Sequence, residues 1–146
     1  MKKVIFCILI LLVGVWLYTS SLIGVHDTSK SYLNKLELAL KDDGYQANYF
    51  VISGRRWPVD NYLLNKLGGA SKKSRHLRGQ AIDIIVLDVN QDGKRNAQDV
   101  DIVYNILDKR IIKDKGGIGT YKKESGFFSR QMIHFDCRGK RARWHR

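Results

Sequence analysis

The sequence of 146 residues contains only two cysteines and one proline, and it has neither an internal repeat nor a low-complexity linker. Cys7 lies in an N-terminal apolar segment, so it cannot pair with Cys137 inside a folded domain. A domain without disulfides must be held by its hydrophobic core and by any metal ions that it binds. The sequence therefore predicts one domain, residues 26–146, behind an N-terminal segment, residues 1–25.

The N-terminal segment has the composition of an export signal. Lys2 and Lys3 precede the uncharged apolar run Val4–Tyr18, and the small polar residues Thr19–Ser21 follow. This layout is typical of a secretory signal peptide or a signal anchor. The run is shorter than the roughly 20 residues that a membrane span needs, and no Ala-x-Ala cleavage site follows it. Removal and retention both stay open, and both predict an exported domain that is periplasmic, in the cell wall, or anchored to the membrane on its extracytoplasmic side.

Acidic residues are scarce, with 14 against 26 lysines and arginines, and the formal net charge is +12, or +10 without Lys2 and Lys3. A basic exported domain suits an anionic cell-wall polymer or membrane surface. The alternative is that the positive charge only keeps the protein soluble, because the charges are spread along the chain except in the dense basic tail, residues 138–146. Nucleic acid is not expected as a partner, since no nucleic-acid motif is present.

The hydrophobic pattern predicts an α+β fold, with flanking helices on a small mixed or antiparallel sheet. Tyr32, Leu36 and Leu40 fall on one helical face. Pro58 is well placed to start a helix. The predicted helices are 29–42, 58–67 and 97–109, and the predicted strands are 49–52, 81–87, 118–121 and 132–136.

Two histidines and one aspartate form the candidate site. His76 and Asp83 lie seven residues apart, across a tight turn at Gly79, and His134 follows far downstream. Two imidazoles and a carboxylate can hold zinc and leave a fourth position for water. Each residue also has an ordinary explanation: Asp83 as a carboxylate bonded to the backbone or an arginine, His76 as a surface residue, and His134 as a core histidine. Asp83 interrupts an apolar strand, and burying a carboxylate is costly unless it is paired or binds a metal.

The stretch Ser74–Asp83 resembles the Ser-x-His-x-x-Gly-x-Ala-x-Asp signature of the M15 zinc peptidases, which are related to D-alanyl-D-alanine carboxypeptidases. Four further segments add to the resemblance, which covers residues 28–144 and is greatest toward the small murein endopeptidases. It implies a D,D-peptidase or hedgehog-like fold. The segments are Ser53–Arg56 (with Arg55 where the family usually has tyrosine), the glycine-rich Gly116–Tyr121, and the pair His134–Asp136 and Arg143–Trp144 near the end of the chain.

The resemblance implies His76, Asp83 and His134 as zinc ligands, in agreement with the reading from the residues. It also places Arg56 where the family has an arginine that could stabilise an oxyanion or bind a substrate carboxylate; the alternative is a surface arginine. The implied function is zinc-dependent hydrolysis of peptidoglycan stem peptides or cross-links by a monomeric carboxypeptidase or endopeptidase. A catalytically inactive wall-binding module of the same fold is the alternative.

The general base is less well defined by the sequence. Several relatives carry an acidic residue three positions before the last histidine, where this chain has Gln131. Asp136 is the candidate, because it lies on the same strand face as His134. It could equally orient a ligand histidine. Glu124 is the reserve candidate, and Cys137 is expected to be a packed thiol on the opposite face.

A second constellation, Asp88–Asp99, carries oxygen side chains at positions 1, 3, 5, 9 and 12 and glycine at position 6. This is the spacing of an EF-hand loop, and it resembles the single loops of dockerin modules. A chance polar loop is the alternative. The sequence predicts a structural Ca²⁺ here and leaves a calcium-dependent protein-interaction module as a third possible function. The predicted ligands are Asp88, Asn90, Asp92, the backbone carbonyl of Lys94, and Asp99.

Overall fold

The computed structural model describes residues 2–67, 70–122 and 131–146. Four α-helices and five β-strands make up this part of the chain. A 3₁₀ turn, Arg75–Arg78, precedes β2, and a π-helical turn, Leu107–Ile112, continues α4. The helices are α1 Lys2–Ile23, α2 Asp27–Asp42, α3 Pro58–Lys66 and α4 Ala97–Ile106, and the strands are β1 Tyr49–Ser53, β2 Ala81–Val86, β3 Gly117–Tyr121, β4 Met132–Asp136 and β5 Ala142–His145.

The N-terminal helix is longer than the sequence predicts. The segment Val4–Ile23 forms 20 helical residues, which are apolar enough and long enough to cross a membrane. The prediction stopped the apolar run at Tyr18, before three small polar residues. The helix continues because the Thr19 hydroxyl donates to the carbonyls of Val15 (3.0 Å) and Trp16 (3.1 Å), so this polar group is satisfied within the helix.

The five strands form one mixed sheet in the order β1-β2-β4-β3-β5. Neighbours are antiparallel except β3 and β5, which run parallel. Together with the flanking helices, this sheet confirms the predicted α+β fold class. Strand β5 is an addition to the prediction, which treated residues 138–146 only as a basic tail.

The two faces of the sheet have different roles because side chains alternate along a strand. Ile82 and Ile84 of β2 and Ile133 and Phe135 of β4 are buried in the core, and α2 and α4 contribute the apolar residues that pack with them. The intervening residues Asp83, His134 and Asp136 therefore point to the other face. Burying one face against helices leaves the opposite face to carry the polar cluster.

Helix α2 packs into the core through the predicted stripe. Tyr32, Leu36 and Leu40 are buried, at a spacing that puts them on one side of the helix. The helix begins at Asp27, two residues earlier than predicted, because the Nδ1 atom of His26 accepts a hydrogen bond from the backbone N–H of Thr28. This cap satisfies one of the unpaired donors of the first turn.

Candidate metal centre

His76 is placed by the short turn between α3 and β2. The turn begins at Ser74, whose hydroxyl accepts from the backbone N–H of His76, and ends at Gly79 in the left-handed conformation with φ of 67°. The imidazole is buried, and its Nδ1 lies 2.5 Å from the carbonyl oxygen of Gly54. A carbonyl can only accept, so Nδ1 carries the proton and Nε2 presents its lone pair.

Asp83 and His134 face each other across neighbouring strands. They are direct partners in the antiparallel register of β2 and β4, which places both side chains on the same face. Nδ1 of His134 lies 2.7 Å from Oδ1 of Asp83 and 3.2 Å from Nε2 of His76. Nε2 of His76 lies 3.1 Å from Oδ2 of Asp83. The three side chains thus bring one ligand atom each to within 4.8 Å of one another, as a bound metal ion requires.

A buried carboxylate holds the second imidazole. Oδ2 of Asp136 lies 3.2 Å from Nε2 of His134. This contact places the proton of neutral His134 on Nε2 and leaves the Nδ1 lone pair toward Asp83 and His76. Each histidine of the cluster therefore has an acceptor on its outer nitrogen, which is the arrangement that fixes tautomer and ring orientation around protein-bound metals.

The cluster combines groups of both charge signs. Burial by itself would lower the pKa of His134, but hydrogen bonds with Asp136 and Asp83 outweigh burial and raise this pKa to about 9. Burial would raise the pKa of Asp83, yet the neighbouring His76 and His134 hold it well below its usual range. Asp83 is therefore ionised at neutral pH, and its negative charge would favour a cation bound between it and the two imidazoles.

Arg56 lies against the same carboxylate. Its Nη2 donates to Oδ2 of Asp83 at 2.5 Å, and its Nε donates to the hydroxyl of Ser53 at 3.0 Å. Only 15% of the Arg56 side chain is exposed. The backbone N–H of Arg56 also donates to the carbonyl of His76. Arg56 is thus fixed beside the cluster rather than extended into solvent as a surface arginine.

The surroundings of Asp136 match those of an orienting group. Its side chain is fully buried, and Arg138 donates to it through Nε (2.8 Å to Oδ1) and Nη2 (2.5 Å to Oδ2). The backbone N–H groups of Gly117 and Arg138 also donate to Oδ1. Burial would raise the pKa of Asp136, but the bonds with His134 and Arg138 prevail and hold it well below its usual range. A carboxylate in this state is a weak proton acceptor.

Gln131 occupies the position where several relatives carry an acidic residue. Gln131 is buried, its backbone carbonyl accepts from the N–H of Val86, and its side-chain Oε1 has no hydrogen-bond partner among the described residues. Glu124, the reserve candidate, lies outside the residues that the structure describes. Cys137 is half-buried, and its Sγ accepts from the hydroxyl of Ser29 at 3.4 Å, as expected for a packed thiol.

The glycine-rich strand β3 allows aromatic packing on His134. The Trp144 ring lies 5.3 Å from the His134 ring, centroid to centroid. Gly119 is the register partner of Trp144, and a Cβ at this position would lie 2.2 Å from the indole ring. A Cβ at Gly117 would similarly lie 2.5 Å from Oδ2 of Asp136. Both glycines are required by the close approach of groups that surround the cluster.

Two carboxylates of the loop of residues 88–99 accept hydrogen bonds from the backbone of the same loop. The carboxylate of Asp88 accepts from the N–H groups of Asp92 and Gly93, and Gly93 has a φ of 79°. Asp99 is fully buried; its Oδ1 accepts from Val89 N–H and its Oδ2 from Asn96 N–H. Among the described residues, the His76–Asp83–His134 cluster is the group with metal-holding geometry. The EF-hand reading of the loop therefore stays a prediction.

The chain matches the model of a known protein family. The family model described as peptidoglycan L,D-endopeptidase MepK, an M15 peptidase model, matches residues 24–144. The chain belongs to this M15 family. The match spans β1 to β5 and includes the three residues of the metal cluster, so the family resemblance seen in the motifs is confirmed.

Other comparisons are weaker. The crystal structure of Serratia marcescens L-Ala D-Glu endopeptidase ChiX matches with a TM-score of 0.47 and 20% sequence identity, over 83% of this M15 chain and 86% of that chain. No curated protein matches significantly.

Sequence reasoning missed three contributors to the centre. The Gly54 carbonyl is a backbone group, and no side-chain motif identifies a backbone acceptor. Arg138 lies beyond the end of β4, where strand periodicity no longer applies, and it was counted as part of a basic tail. The packing of Trp144 on His134 follows from β5, a strand of four residues with too short a pattern to be recognised.

Proposed function

We propose that this protein is a zinc-dependent endopeptidase that cleaves peptide bonds in peptidoglycan. The proposal rests on the convergence of His76, Asp83 and His134. It is supported by the family model that matches the chain, which is described as a peptidoglycan L,D-endopeptidase. Two imidazoles and one carboxylate form a three-ligand set of the kind used by catalytic zinc sites. Bound zinc would supply a water with a pKa near neutrality and polarise the scissile carbonyl.

The residues around the cluster have distinct roles in this proposal. The carbonyl of Gly54 and the carboxylate of Asp136 hold the two imidazoles with their lone pairs facing inward. Asp136 therefore acts as a positioning residue, the second of the two roles that the sequence left open. Arg56 carries its fixed positive charge beside Asp83, where it would stabilise negative charge that develops on the substrate carbonyl oxygen.

Endopeptidase activity is preferred over carboxypeptidase activity because of the family description, which specifies an L,D-endopeptidase. Peptidoglycan as the partner also agrees with the net charge of +12, since a basic protein concentrates near an anionic wall. A non-catalytic wall-binding role would not need both ligand histidines to be held by acceptors.

We also propose that α1 is retained as a membrane anchor on an exported domain. The hydroxyl of Tyr18 donates to the carbonyl of Val51 at 2.8 Å. The carbonyl of Ser21 accepts from Arg55 N–H, and the hydroxyl of Ser21 accepts from Gly54 N–H. The last turns of the apolar helix are thus part of the domain surface, and cleavage after them would expose those partners.

A structural Ca²⁺ in the loop of residues 88–99 is a separate proposal. It is supported by the spacing of the oxygen side chains and by the turn at Gly93. Calcium binding would have to displace backbone donors from Asp99. A rise in melting temperature on adding Ca²⁺ to zinc-saturated protein would support it, and an unchanged melting temperature would contradict it.

The test of the proposed function uses the full chain in detergent with defined muropeptides, including cross-linked dimers, and identifies products by mass. We expect chelation to abolish cleavage and zinc to restore it. His76→Ala and Asp83→Asn should both be inactive while remaining folded, whereas Asp42→Asn, a change at an exposed site at the end of α2, should be fully active. Cleavage that survives chelation, or that persists in Asp83→Asn, would refute the metal mechanism.

A product that only lacks a terminal D-alanine would contradict the endopeptidase assignment. Cleavage of a cross-linked dimer into monomers or shorter stems would support it. The two outcomes differ in product mass, so one digestion distinguishes them.

A further inference from the structure

Helix α3 is amphipathic, but its apolar side faces outward and its polar side faces the domain. Val59, Tyr62 and Leu63 lie at i, i+3 and i+4, and they are 68%, 60% and 56% exposed. Leu67, directly after the helix, is 83% exposed. Asn61, by contrast, is buried. The apolar stripe that would normally face a protein core here faces outward.

Polar contacts fix this orientation. The Asn61 side-chain amide donates to the carbonyl of Ser71 at 3.1 Å, and the Asn65 amide donates to the carbonyl of Ala70 at 2.6 Å. The helix is therefore attached to the domain through its asparagines, which leaves its apolar side free. An exposed apolar patch with this regular spacing marks an interaction surface.

The patch is continuous with the end of the apolar helix α1. Ser21 accepts from the N–H of Arg55, and the Arg55 side chain packs against Gly24, where a Cβ would lie 2.5 Å from it. The guanidinium of Arg55 lies 5.0 Å from the ring centroid of Trp57, the residue before α3. A chain of contacts thus runs from the last turn of α1 through Arg55 and Trp57 to α3.

The composition of the patch suits a lipid interface. Trp57 and Tyr62 are aromatic residues of the kind enriched at membrane surfaces. Lys66 lies 5.6 Å from the Tyr62 ring centroid, and Lys72 and Lys73 are exposed just beyond α3. An apolar helical face with flanking lysines is typical of helices that lie in the headgroup region and bind anionic lipid.

We propose that the outer face of α3, formed by Trp57, Val59, Tyr62, Leu63 and Leu67, lies in the lipid interface beside the exit of α1. This inference rests on the retained anchor proposed above. A single spanning helix would let the domain rotate and tilt, whereas a second contact in the interface fixes its orientation. Arg56 precedes the face directly and contacts Asp83, so docking would hold the metal centre near the membrane surface.

The test places a fluorescent probe on the face of the full-length protein. Cys7→Ser and Cys137→Ser remove the native thiols, and Leu63→Cys is labelled with bimane. The protein is reconstituted into vesicles of phosphatidylcholine and phosphatidylglycerol that carry brominated acyl chains. Leu38→Cys is the matched control, because Leu38 is a 61% exposed leucine on α2.

We expect brominated lipid to quench the probe at position 63 and to leave the probe at position 38 bright. Equal emission at the two positions would overturn the proposal. It would also be overturned if muropeptides, and not lipid, shielded position 63, or if two copies of the chain cross-linked through position 63 without quenching. Hydrolysis of soluble muropeptides by the labelled protein in detergent is measured in parallel. Active protein with an unquenched probe refutes only the docking, whereas a quenched probe together with inactivity of both the labelled and the unmodified protein refutes only the proposed function.

Discussion

Replacing Arg138 with alanine tests how the metal centre is supported. Asp136 has no exposed surface, and Arg138 is the charged partner that donates to both of its oxygens. The same carboxylate holds Nε2 of His134. Arg138→Ala therefore leaves the buried carboxylate with His134 as its remaining charged partner and weakens the support of one proposed zinc ligand.

The expected loss of stability follows from burial. Removing one partner of a buried ion pair costs about 3–5 kcal/mol, because the remaining charge stays desolvated. Asp136 keeps the N–H groups of Gly117 and residue 138 and its contact with His134. We therefore expect a loss at the lower end, about 3 kcal/mol. Arg138→Lys keeps the charge without the two-pronged geometry and should lose less.

The matched control is Arg110→Ala. Arg110 donates to both oxygens of Asp43 at 2.7 and 2.6 Å, but this pair is exposed, with 46% and 36% of the two side chains accessible. An exposed pair contributes only about 0–1 kcal/mol. Urea unfolding in the presence of chelator measures both variants without a metal contribution. The reasoning is refuted if Arg138→Ala costs no more than Arg110→Ala.

Zinc affinity gives a second measurement on the same variants. Loss of a group that orients a ligand typically weakens metal binding about 10–100-fold. We expect Arg138→Ala to fall in this range in a competition titration against a chromophoric chelator, and Arg110→Ala to bind zinc as the unmodified protein does. Unchanged affinity in Arg138→Ala would show that Asp136 keeps His134 in place without its arginine.

Three further changes test other parts of the structure. Burial would raise the pKa of Asp108, but hydrogen bonds from Arg141 and Arg143 lower it, so its ionised form stabilises the fold above the unfolded pKa of about 3.9. Asp108→Asn should therefore lower the free energy of unfolding by about 1.5–3 kcal/mol at pH 7. This loss should be smaller when urea unfolding is measured at pH 3. Asp99→Asn should lower the free energy of unfolding by about 1–3 kcal/mol, because both oxygens of the buried carboxylate accept hydrogen bonds from backbone N–H groups. Thermal unfolding with chelator present measures this loss. An effect seen only with Ca²⁺ would contradict this. Gly119→Ala should cost about 1–3 kcal/mol and shift the tryptophan near-ultraviolet circular dichroism, because its Cβ would overlap the indole ring; an unperturbed spectrum would argue against the packing.

The sequence predicted the sheet and the cluster where local patterns were strong. Asp83 is the one charged residue in an otherwise apolar strand, and this interruption marks a side chain on the face opposite the core. Strand alternation also predicted that His134 and Asp136 share a face, and the structure places both there. Such patterns depend on residues two apart on one strand, so they can be read without knowledge of the partners.

Features that depend on distant parts of the chain were not predictable in this way. Strand β5 is stabilised by pairing with β3 and by Arg143, which donates to Asp108 and to the carbonyl of Gly116. Its sequence, Ala-Arg-Trp-His, is too short to show an apolar period of its own. The outward face of α3 was also missed, because hydrophobic spacing predicts a helix and does not say which side meets the domain.

The residues of the candidate metal centre come from segments that are far apart in the chain, and this affects stability. His76 follows α3, Asp83 lies on β2 and His134 on β4, while the acceptor for His76 lies at Gly54, beside the contact with α1. Ligands this far apart are not preformed in an unfolded chain, so binding free energy adds to folding free energy. In a domain without a disulfide, zinc would then link the turn after α3 to the two central strands. Chelation should accordingly lower the melting temperature of the unmodified protein more than that of Asp83→Asn, which has already lost a ligand. Equal shifts on chelation would mean that the cluster is held by its hydrogen bonds alone.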